Sequence, residues 1–420
     1  MSDIQTLVVA ATTAVNQGRW DQAEAIWAQV LAQDPRHPQA LYSLGVHAFK
    51  RGQLGEALQL LQGAHAAAPG DPAVLLSISV VLREQGEDGG ELRAIEASLA
   101  ADPYFLPALL AKAAHLEAHG LPKPAAAVYR NALKAAPPEP HWPPALRSQL
   151  LHGRACVERL GAELANFLFA RTDSAFSALT RSEVERWREA IAIQSGQSQP
   201  YPSVSSQQYV PRLPAIPFHE RSAFAWVEAL EARTEAITAE LRGVMDQHLA
   251  GFQPYVAYQP GTPLNQWQEL NHSKRWSSYF LWNNGKPVTE HLERCPDTAK
   301  ALAAVGMADI GGQCPNAMFS VLAPHTHIPP HHGETNARVV VHLPLIVPEK
   351  CTYRVGFERR HWTVGETLIF DDSIEHEARN DSDELRVVMI FDVWNPLLSP
   401  AERAMVKSLS AATREFQGTA

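Results

Sequence analysis

The stretch LYSLGVHAFKRGQLGEALQLLQGAHAAAP, residues 41–69, is the clearest copy of a unit that recurs through the first third of the chain. Glycines return at an interval of 34 residues, and prolines return at the same interval. The glycines are Gly18, Gly52, Gly86 and Gly120, and the prolines are Pro35, Pro69, Pro103 and Pro137. Two residue types in one register predict an internal repeat of helix pairs, in which each proline ends the second helix.

The repeat resembles the tetratricopeptide repeat, whose units are antiparallel pairs of helices. Three units have alanine five residues after the glycine, where helices pack closely, whereas the third unit has Glu91 there. We expect four units over residues 4–142 and a covering helix near residues 143–168. The resemblance implies a groove that binds a peptide or a partner protein. The alternative is a scaffold or a dimerisation element.

The bulk composition is that of an ordinary globular protein. The chain has 420 residues, which suits two or three domains, and no apolar run approaches the roughly 20 residues that cross a bilayer. A net charge of -9 disfavours nucleic acid and anionic lipid as partners, and we expect no membrane insertion. Four cysteines without CxxC spacing and an N-terminus without a secretion signal predict free thiols and a cytoplasmic location.

Several segments predict how the rest of the chain is organised. Residues 182–193, SEVERWREAIAI, indicate a helix, and the Ser-, Gln- and Pro-rich residues 195–217 indicate a linker. Residues 219–251 predict one long amphipathic helix, and Ser399 with Glu402 predicts a capping box at a helix start. The expected regions are the repeat domain at 1–168, helix and linker at 169–205, a β-rich domain at 206–400 and a C-terminal helix at 401–420.

After residue 316 the sequence indicates β-strands. The runs MFSVL, ARVVVHLPLIV, TYRVGFE, ETLIF and LRVVMIFDV are short and apolar or alternating, and Pro, Gly, Asn and Asp separate them. In RVVVHLPL, residues 338–345, alternation puts Val339 and Val341 on one face and Arg338, Val340 and His342 on the other. A buried face that carries a histidine and an arginine indicates a pocket.

Two histidine motifs precede a buried arginine. They are IPPHHGETN, residues 328–336, and FDDSIEHEARN, residues 370–380; Arg386 follows within the strand LRVVMIF. A guanidinium in an apolar strand needs a carboxylate partner, and its fork suits a small dicarboxylic acid. Two separated histidines with such an arginine predict a non-haem iron site that binds 2-oxoglutarate.

These motifs resemble the aspartyl/asparaginyl β-hydroxylase family of Fe(II)- and 2-oxoglutarate-dependent oxygenases. The likeness runs from FSVLAPHTHIPPHHGETNARVVVHLPL to RVVMIFDVWNPLLS, and LPAIPFHERSAF, RWSSYFLWNNG and CPDT extend it to about half of the chain. It implies an α+β multidomain protein, an α-solenoid followed by a double-stranded β-helix of the jelly-roll or cupin-like kind. The implied reaction uses O2 to hydroxylate the β-carbon of an Asp or Asn residue in a peptide or protein that the repeats deliver.

The resemblance also assigns roles to individual residues. His331 and His376 would bind the metal, and Arg386 with Ser320 would bind the distal carboxylate of 2-oxoglutarate. His342 would lie near the other end of this cosubstrate. The catalytic residues implied are therefore His331, His376 and Arg386. Val340 departs from the pattern, because some relatives have an arginine two residues before this histidine.

One question concerns the carboxylate of the usual facial triad. It would stand two residues after His331, where this chain has Gly333. The family is known for a site of two histidines without that carboxylate, so the glycine agrees with the resemblance. The alternative is that His332 and Glu334 form the His-x-Glu part of a triad.

Other readings stay open at this point. The substrate could be a lipid acyl chain or a small molecule, or the chain could be a binding module without activity. We expect no metal role for His325 or His327. Asp371 and Asp372 either orient His376 or cap the turn after a strand. Trp362, Trp394 and the aromatic set at residues 276–282 are expected to be core rather than cofactor contacts.

Overall fold

A computed structural model describes residues 3–418, which form two compact units. The first unit contains residues 3–180 and 190–197. The second contains residues 181–189 and 198–418. Each unit has its own core, and a helix at residues 181–194 is divided between them.

The first unit begins with four helical hairpins, as the 34-residue period predicts. Their helices are α1 (Asp3–Asn16), α2 (Trp20–Gln33), α3 (Pro38–Lys50), α4 (Leu54–Ala67), α5 (Pro72–Glu84), α6 (Asp88–Ala101), α7 (Leu106–Ala118) and α8 (Pro122–Ala135). The four recurring glycines lie in the turns inside the hairpins, with φ between 71° and 77°. This left-handed conformation suits glycine and lets each chain segment reverse after its first helix. The predicted repeat fold is confirmed.

Glu91, the departure in the third repeat, is accommodated by a buried partner. It lies in α6 with 6% of its surface exposed, and its Oε2 is 2.7 Å from Nδ1 of His115 in α7. His115 is itself only 8% exposed. The polar pair satisfies both groups, so the repeat keeps its geometry without alanine at this position.

A long helix follows the repeats. It is α9 (Arg147–Phe176), which begins after Pro143 and Pro144 and packs on α8 through the buried Leu150. It therefore starts later and ends later than the expected 143–168. The next helix is α10 (Arg181–Gln194). Within residues 3–418, no helix combines the length and the apolar character that crossing a membrane requires.

The second unit contains two antiparallel sheets. Its strands are β1 (Gln253–Pro254), β2 (Trp276–Asn283), β3 (Lys286–Pro287), β4 (Ala317–Leu322), β5 (Thr326–His331), β6 (Arg338–Ile346), β7 (Cys351–Val355), β8 (Glu358–Arg360), β9 (Leu368–Phe370), β10 (His376–Asn380) and β11 (Arg386–Trp394). One sheet has the order β1-β2-β4-β11-β6-β9, with β3 beside β2. The other has the order β5-β10-β7-β8. The predicted class, helical repeats followed by a β domain, is confirmed.

Five further helices belong to the second unit. They are α11 (Val227–Glu231), α12 (Thr234–Gln247), α13 (Thr289–Arg294), α14 (Pro296–Ala303) and α15 (Pro400–Gln417). The predicted single helix over 219–251 is wrong, since it is interrupted between α11 and α12. There the Thr234 hydroxyl donates to the Glu231 carbonyl, while the Glu231 carboxylate accepts from Thr367. The predicted capping box of Ser399 and Glu402 is confirmed at the start of α15.

The two faces of the larger sheet have different roles. One face packs against α12 and α14 and buries Val339 and Val341 of β6. The other face meets the smaller sheet, where Ile328 and Ala378 pack near Val388 of β11. The polar side chains of β6 fall on this second face, so the space between the sheets is where the site forms.

Candidate functional site

A cavity of about 470 Å³ lies between the two sheets of the second unit. Arg338, Val340 and His342 of β6 line it, whereas Val339 and Val341 face the other way into the core. The pocket predicted from alternation along β6 is therefore confirmed. Every residue that the sequence assigned to the site also lines this cavity; the set is Ser320, His331, His342, His376 and Arg386.

The pairing of β5 with β10 brings the two histidines together. β5 is an edge strand, where prolines are tolerated because no neighbour needs their missing N–H. Ile328 pairs with Ala378 and His331 pairs with His376, so β5 carries one extra residue in the segment that contains both prolines. The ring centroids of His331 and His376 lie 4.0 Å apart.

Both histidines are oriented by the backbone. Nδ1 of His331 lies 2.8 Å from the Pro329 carbonyl oxygen, and Nδ1 of His376 lies 3.0 Å from that of Ile374. His376 also forms a hydrogen bond to the backbone of Asp372. Burial lowers the pKa of His331 to about 3 and that of His376 to about 4. At neutral pH both rings are uncharged, and each Nε2 lone pair is available to a divalent metal ion.

The position of the missing triad carboxylate is filled by another residue. A Cβ on Gly333 would overlap the carboxylate of Asp372, and the Gly333 N–H donates to the Asp372 carbonyl at 2.7 Å. In residues 3–418, one trio of His, Cys, Asp or Glu ligand atoms lies within 4.8 Å of one another, and it belongs to the first unit. No described carboxylate therefore joins His331 and His376 in such a trio. Nδ1 of His332 lies 2.9 Å from the Ser373 carbonyl oxygen.

Arg386 forms one end of the cavity without a carboxylate partner. It is 1% exposed, and its Nε and Nη1 find no hydrogen-bond partner among residues 3–418. Its guanidinium carbon lies 4.7 Å from the ring centroid of Trp362, and burial lowers its pKa to about 10. A buried cation without a counterion is costly, so this end is suited to an anionic ligand.

Ser320 and His342 line the same cavity. Ser320, on β4, accepts a hydrogen bond from Nε1 of Trp276 at 3.2 Å and pairs with Val388 of β11. His342 accepts one from Nε1 of Trp362 at 3.3 Å, and burial lowers the pKa of this histidine. Both residues thus add neutral hydrogen-bonding groups to the cavity that holds the Arg386 cation.

The opposite end of the cavity is acidic. Asp392 lies six residues beyond Arg386 on the same face of β11, about 20 Å away along the strand. The Arg338 guanidinium is 3.0 Å from Asp372 and 3.4 Å from Asp392. Glu334 lines this end as well, and burial raises its pKa. Burial raises the pKa of Asp392 as well, and carboxyl groups outnumber cations at this end.

The acidic end was not among the features predicted from the sequence. Alternation along β11 was the available signal, because it puts Asp392 on the face of Arg386. The aromatic residues were expected to be core, yet Trp276 lines the cavity and Trp362 contacts Arg386. Trp362 therefore packs in the core between the sheets, as expected, and also contacts the Arg386 guanidinium.

The remaining expectations concern polar neighbours. Asp371 accepts hydrogen bonds from the N–H and hydroxyl of Ser373, which is the turn-capping alternative. For Asp372, the alternative of orienting His376 has support, because its backbone hydrogen-bonds this histidine. His325 and His327 pair with Asp383 and Glu377.

Two family models and several known proteins are similar to parts of this chain. Residues 231–396 match the model of the family described as Aspartyl/Asparaginyl beta-hydroxylase, and residues 8–72 match that of the Tetratricopeptide repeat. The chain is 35% identical over 191 residues to an ornithine lipid ester-linked acyl 2-hydroxylase of Rhizobium tropici, covering 44% of this chain and 63% of that protein. It is 33% identical over 184 residues to the aspartyl/asparaginyl beta-hydroxylase of Mus musculus, covering 44% and 23%.

A third relative is the aspartate beta-hydroxylase domain-containing protein 2 of Homo sapiens. It is 32% identical over 221 residues, which is 51% of this chain and 57% of that protein. The chain thus spans less than two thirds of each of these three relatives.

The overlap of Gly333 with Asp372 predicts the effect of adding one methyl group. In Gly333→Ala the Asp372 carboxylate must move away from its position beside Arg338. We expect the free energy of unfolding, measured by urea denaturation, to fall by about 1–3 kcal/mol. Gly243→Ala is the matched control, because nothing lies within 4 Å of that position in α12. It should leave stability unchanged or raise it by up to about 1 kcal/mol. If Gly333→Ala and Gly243→Ala change the free energy of unfolding equally, the overlap is contradicted.

The lowered pKa values of the histidine pair predict sensitivity to acid. In the unfolded chain each histidine titrates near 6.5, and in the folded chain near 3 or 4. Below pH 6.5 the unfolded chain takes up protons that the folded chain does not, so the metal-free protein should lose about 1.4 kcal/mol for each histidine and pH unit. Urea unfolding at pH 7, 6 and 5 measures this. The double variant His331→Asn/His376→Asn should not show this loss of the free energy of unfolding. If the variant and the parent protein depend on pH in the same way, the prediction is contradicted.

Proposed function

We propose, on the premise that residues 231–396 belong to the aspartyl/asparaginyl β-hydroxylase family, that this chain is an Fe(II)- and 2-oxoglutarate-dependent hydroxylase. The observation that carries the proposal is a single cavity that contains both a pair of neutral histidines and a buried guanidinium. The rings of His331 and His376 lie with their centroids 4.0 Å apart, and Arg386 presents a buried cation without a counterion. A metal ion and a small dicarboxylate satisfy these groups together.

The metal is assigned to His331 and His376. Their Nδ1 atoms are occupied by backbone carbonyls, which fixes the ring orientation and leaves Nε2 for coordination. Gly333 supports a site without a protein carboxylate, because the Asp372 side chain occupies the space beside it. The alternative triad with His332 and Glu334 lacks this support.

The cosubstrate is assigned to the other end. Arg386 would bind the distal carboxylate of 2-oxoglutarate through its guanidinium, two of whose nitrogens have no partner, with the Ser320 hydroxyl as a further donor. His342 would lie near the cosubstrate, and Val340 brings an apolar wall where some relatives have an arginine. When bound, Fe(II) and 2-oxoglutarate supply the O2-dependent replacement of a C–H hydrogen by hydroxyl, with release of succinate and carbon dioxide.

The surrounding side chains prepare the site for this chemistry. Tyr353 and Phe370 close the cavity on the side of His376, and Trp267 packs edge-on against His331 at 5.0 Å. These aromatic walls restrict water around the histidines and hold their rings in place. The protein thus contributes orientation and a dry cavity.

The substrate that we propose is an Asp or Asn residue of a peptide or protein, hydroxylated at its β-carbon. The family description and the predicted peptide groove of the repeats support this class. Within this class, the acidic end of the cavity discriminates between Asp and Asn. Glu334, Asp372 and Asp392 line this end together with a single arginine that is already paired. A carboxylate is repelled there and an amide is not, so Asn is favoured over Asp.

The second candidate is an acyl chain of a lipid. A 35% identical relative is named as an acyl 2-hydroxylase, and the same metal and cosubstrate groups would serve that reaction. The cytoplasmic location expected from the sequence stays a prediction in either case.

Two substitutions test the metal and cosubstrate assignments separately. His376→Ala should reduce Fe(II)-dependent succinate formation at least about 100-fold, because one of two protein ligands is lost. Arg386→Lys should raise the KM for 2-oxoglutarate about tenfold or more, because a bidentate fork becomes a point charge. The control is His325→Ala, whose side chain is 65% exposed. Succinate formation that persists in His376→Ala would overturn the site.

Matched peptides test the substrate. We expect kcat/KM for an Asn peptide to exceed that of the same peptide with Asp by about tenfold or more. Two like charges 4 Å apart near a protein surface repel by about 4 kcal/mol, and about 1.4 kcal/mol of this suffices for a tenfold ratio. Glu334→Gln should narrow this ratio, and the exposed Glu366→Gln should not. A preference for Asp would refute the selection. Turnover of an acyl lipid without turnover of either peptide would favour the second candidate.

A further inference from the structure

A second group of potential metal ligands lies in the first unit. Glu117 stands at the end of α7, and His152 and Cys156 stand one helical turn apart on α9. Within residues 3–418 they are the one trio of His, Cys, Asp or Glu side chains whose ligand atoms lie within 4.8 Å of one another. The proposed hydroxylase chemistry uses none of them.

The distances suit a tetrahedral ion. Nε2 of His152 is 2.7 Å from Oε2 of Glu117, and Sγ of Cys156 is 3.4 Å from Oε1 of Glu117 and 3.4 Å from Nε2 of His152. Zinc bonds of about 2.0–2.3 Å to N, O and S separate ligand atoms in a tetrahedron by about 3.3–3.6 Å. The separation of Sγ and Nε2 already has this length. Sγ and Nε2 contact different oxygens of Glu117, so a rotation of the carboxylate must bring one oxygen to this distance from both; one ligand atom from each residue already lies within 4.8 Å of the other two.

Neighbouring residues hold the carboxylate in place. The Tyr129 hydroxyl donates to Oε2 of Glu117 at 3.1 Å, and Tyr129 is 3% exposed. Gly153 allows this approach, because a Cβ there would lie 2.6 Å from Cδ1 of Tyr129. Glycine inside a helix costs about 1 kcal/mol relative to alanine. Gly153, next to His152, therefore makes room for the hydrogen bond from Tyr129 that orients Glu117; such bonds to ligands are usual around metal sites.

We propose that Glu117, His152 and Cys156 bind one Zn(II) ion that joins α7 to α9. Thiolate, imidazole and carboxylate together favour Zn(II) or Co(II) over Mg(II) and Ca(II), which prefer oxygen ligands alone. On binding, the thiol proton of Cys156 passes to solvent. The proton that Nε2 of His152 donates to Glu117 also leaves for solvent, and the neutral ring carries its proton on Nδ1 while Nε2 coordinates. The three residues leave a fourth position for water. The ion fastens the last repeat to the helix that covers it.

Co(II) is the probe that tests this site in the full-length chain. A cysteine thiolate on Co(II) gives a sulfur-to-metal charge-transfer band in the near ultraviolet, which histidine and carboxylate ligands do not give. No cysteine lines the cavity of the second unit, so the band reports the proposed site alone. In metal-free, reduced protein carrying His376→Ala, we expect the band to saturate at one Co(II) per chain. Zn(II) should displace it and raise the Tm of the helical signal by a few degrees.

Variants separate a metal site from a hydrogen-bonded cluster. Cys156→Ser should abolish the band, and His152→Ala should weaken Co(II) and Zn(II) binding at least about tenfold, which is about 1.4 kcal/mol. The His152 side chain is 54% exposed, so this second variant tests the proposal even where the first fails to fold. The exposed His141→Ala, also in the first unit, should change neither. No band in the parent protein, or a band retained in Cys156→Ser, would overturn the proposal.

Discussion

The offset pairing of β5 with β10 is the constraint on which the rest of the site depends. One extra residue in the Pro329–Pro330 segment places His331 opposite His376, although 45 residues separate them in the chain. In an unshifted ladder the residue at position 331 would point to the other face of the strand, because side chains alternate. The edge position of β5 makes this possible, since prolines in a central strand would break its hydrogen bonds.

The cavity next to this pair is polarised from end to end. Arg386 lies buried without a counterion, while Arg338 at the opposite end is shared by two carboxylates and faces a third. Charges this far from water interact strongly and are weakly screened by salt. The arrangement therefore distinguishes ligands by charge: it attracts an anion to one end and repels an anion from the other. The two histidines stay neutral between these ends, which keeps them available as ligands.

Sequence patterns predicted much of this, and the exceptions have physical causes. The 34-residue period predicted the helical hairpins because local helix contacts decide that fold. Alternation along β6 predicted which face carries Arg338 and His342. The long helix expected at 219–251 is interrupted between α11 and α12, where the Glu231 carboxylate accepts hydrogen bonds from Thr367, more than a hundred residues away. No local pattern contains such a contact.

The sequence by itself determined the residue types and the faces on which they stand. The recurring glycines and the strand alternation are local features that spacing shows, and the family motifs are local features recognised by resemblance. Only the tertiary structure decided which of those residues meet. It put the Asp372 carboxylate in the space beside Gly333, joined Arg338 to Asp392, and brought Glu117 to the helix that carries His152 and Cys156. Each of these depends on strands or helices that pack far from one another in sequence, and packing is settled by the whole core rather than by any one segment.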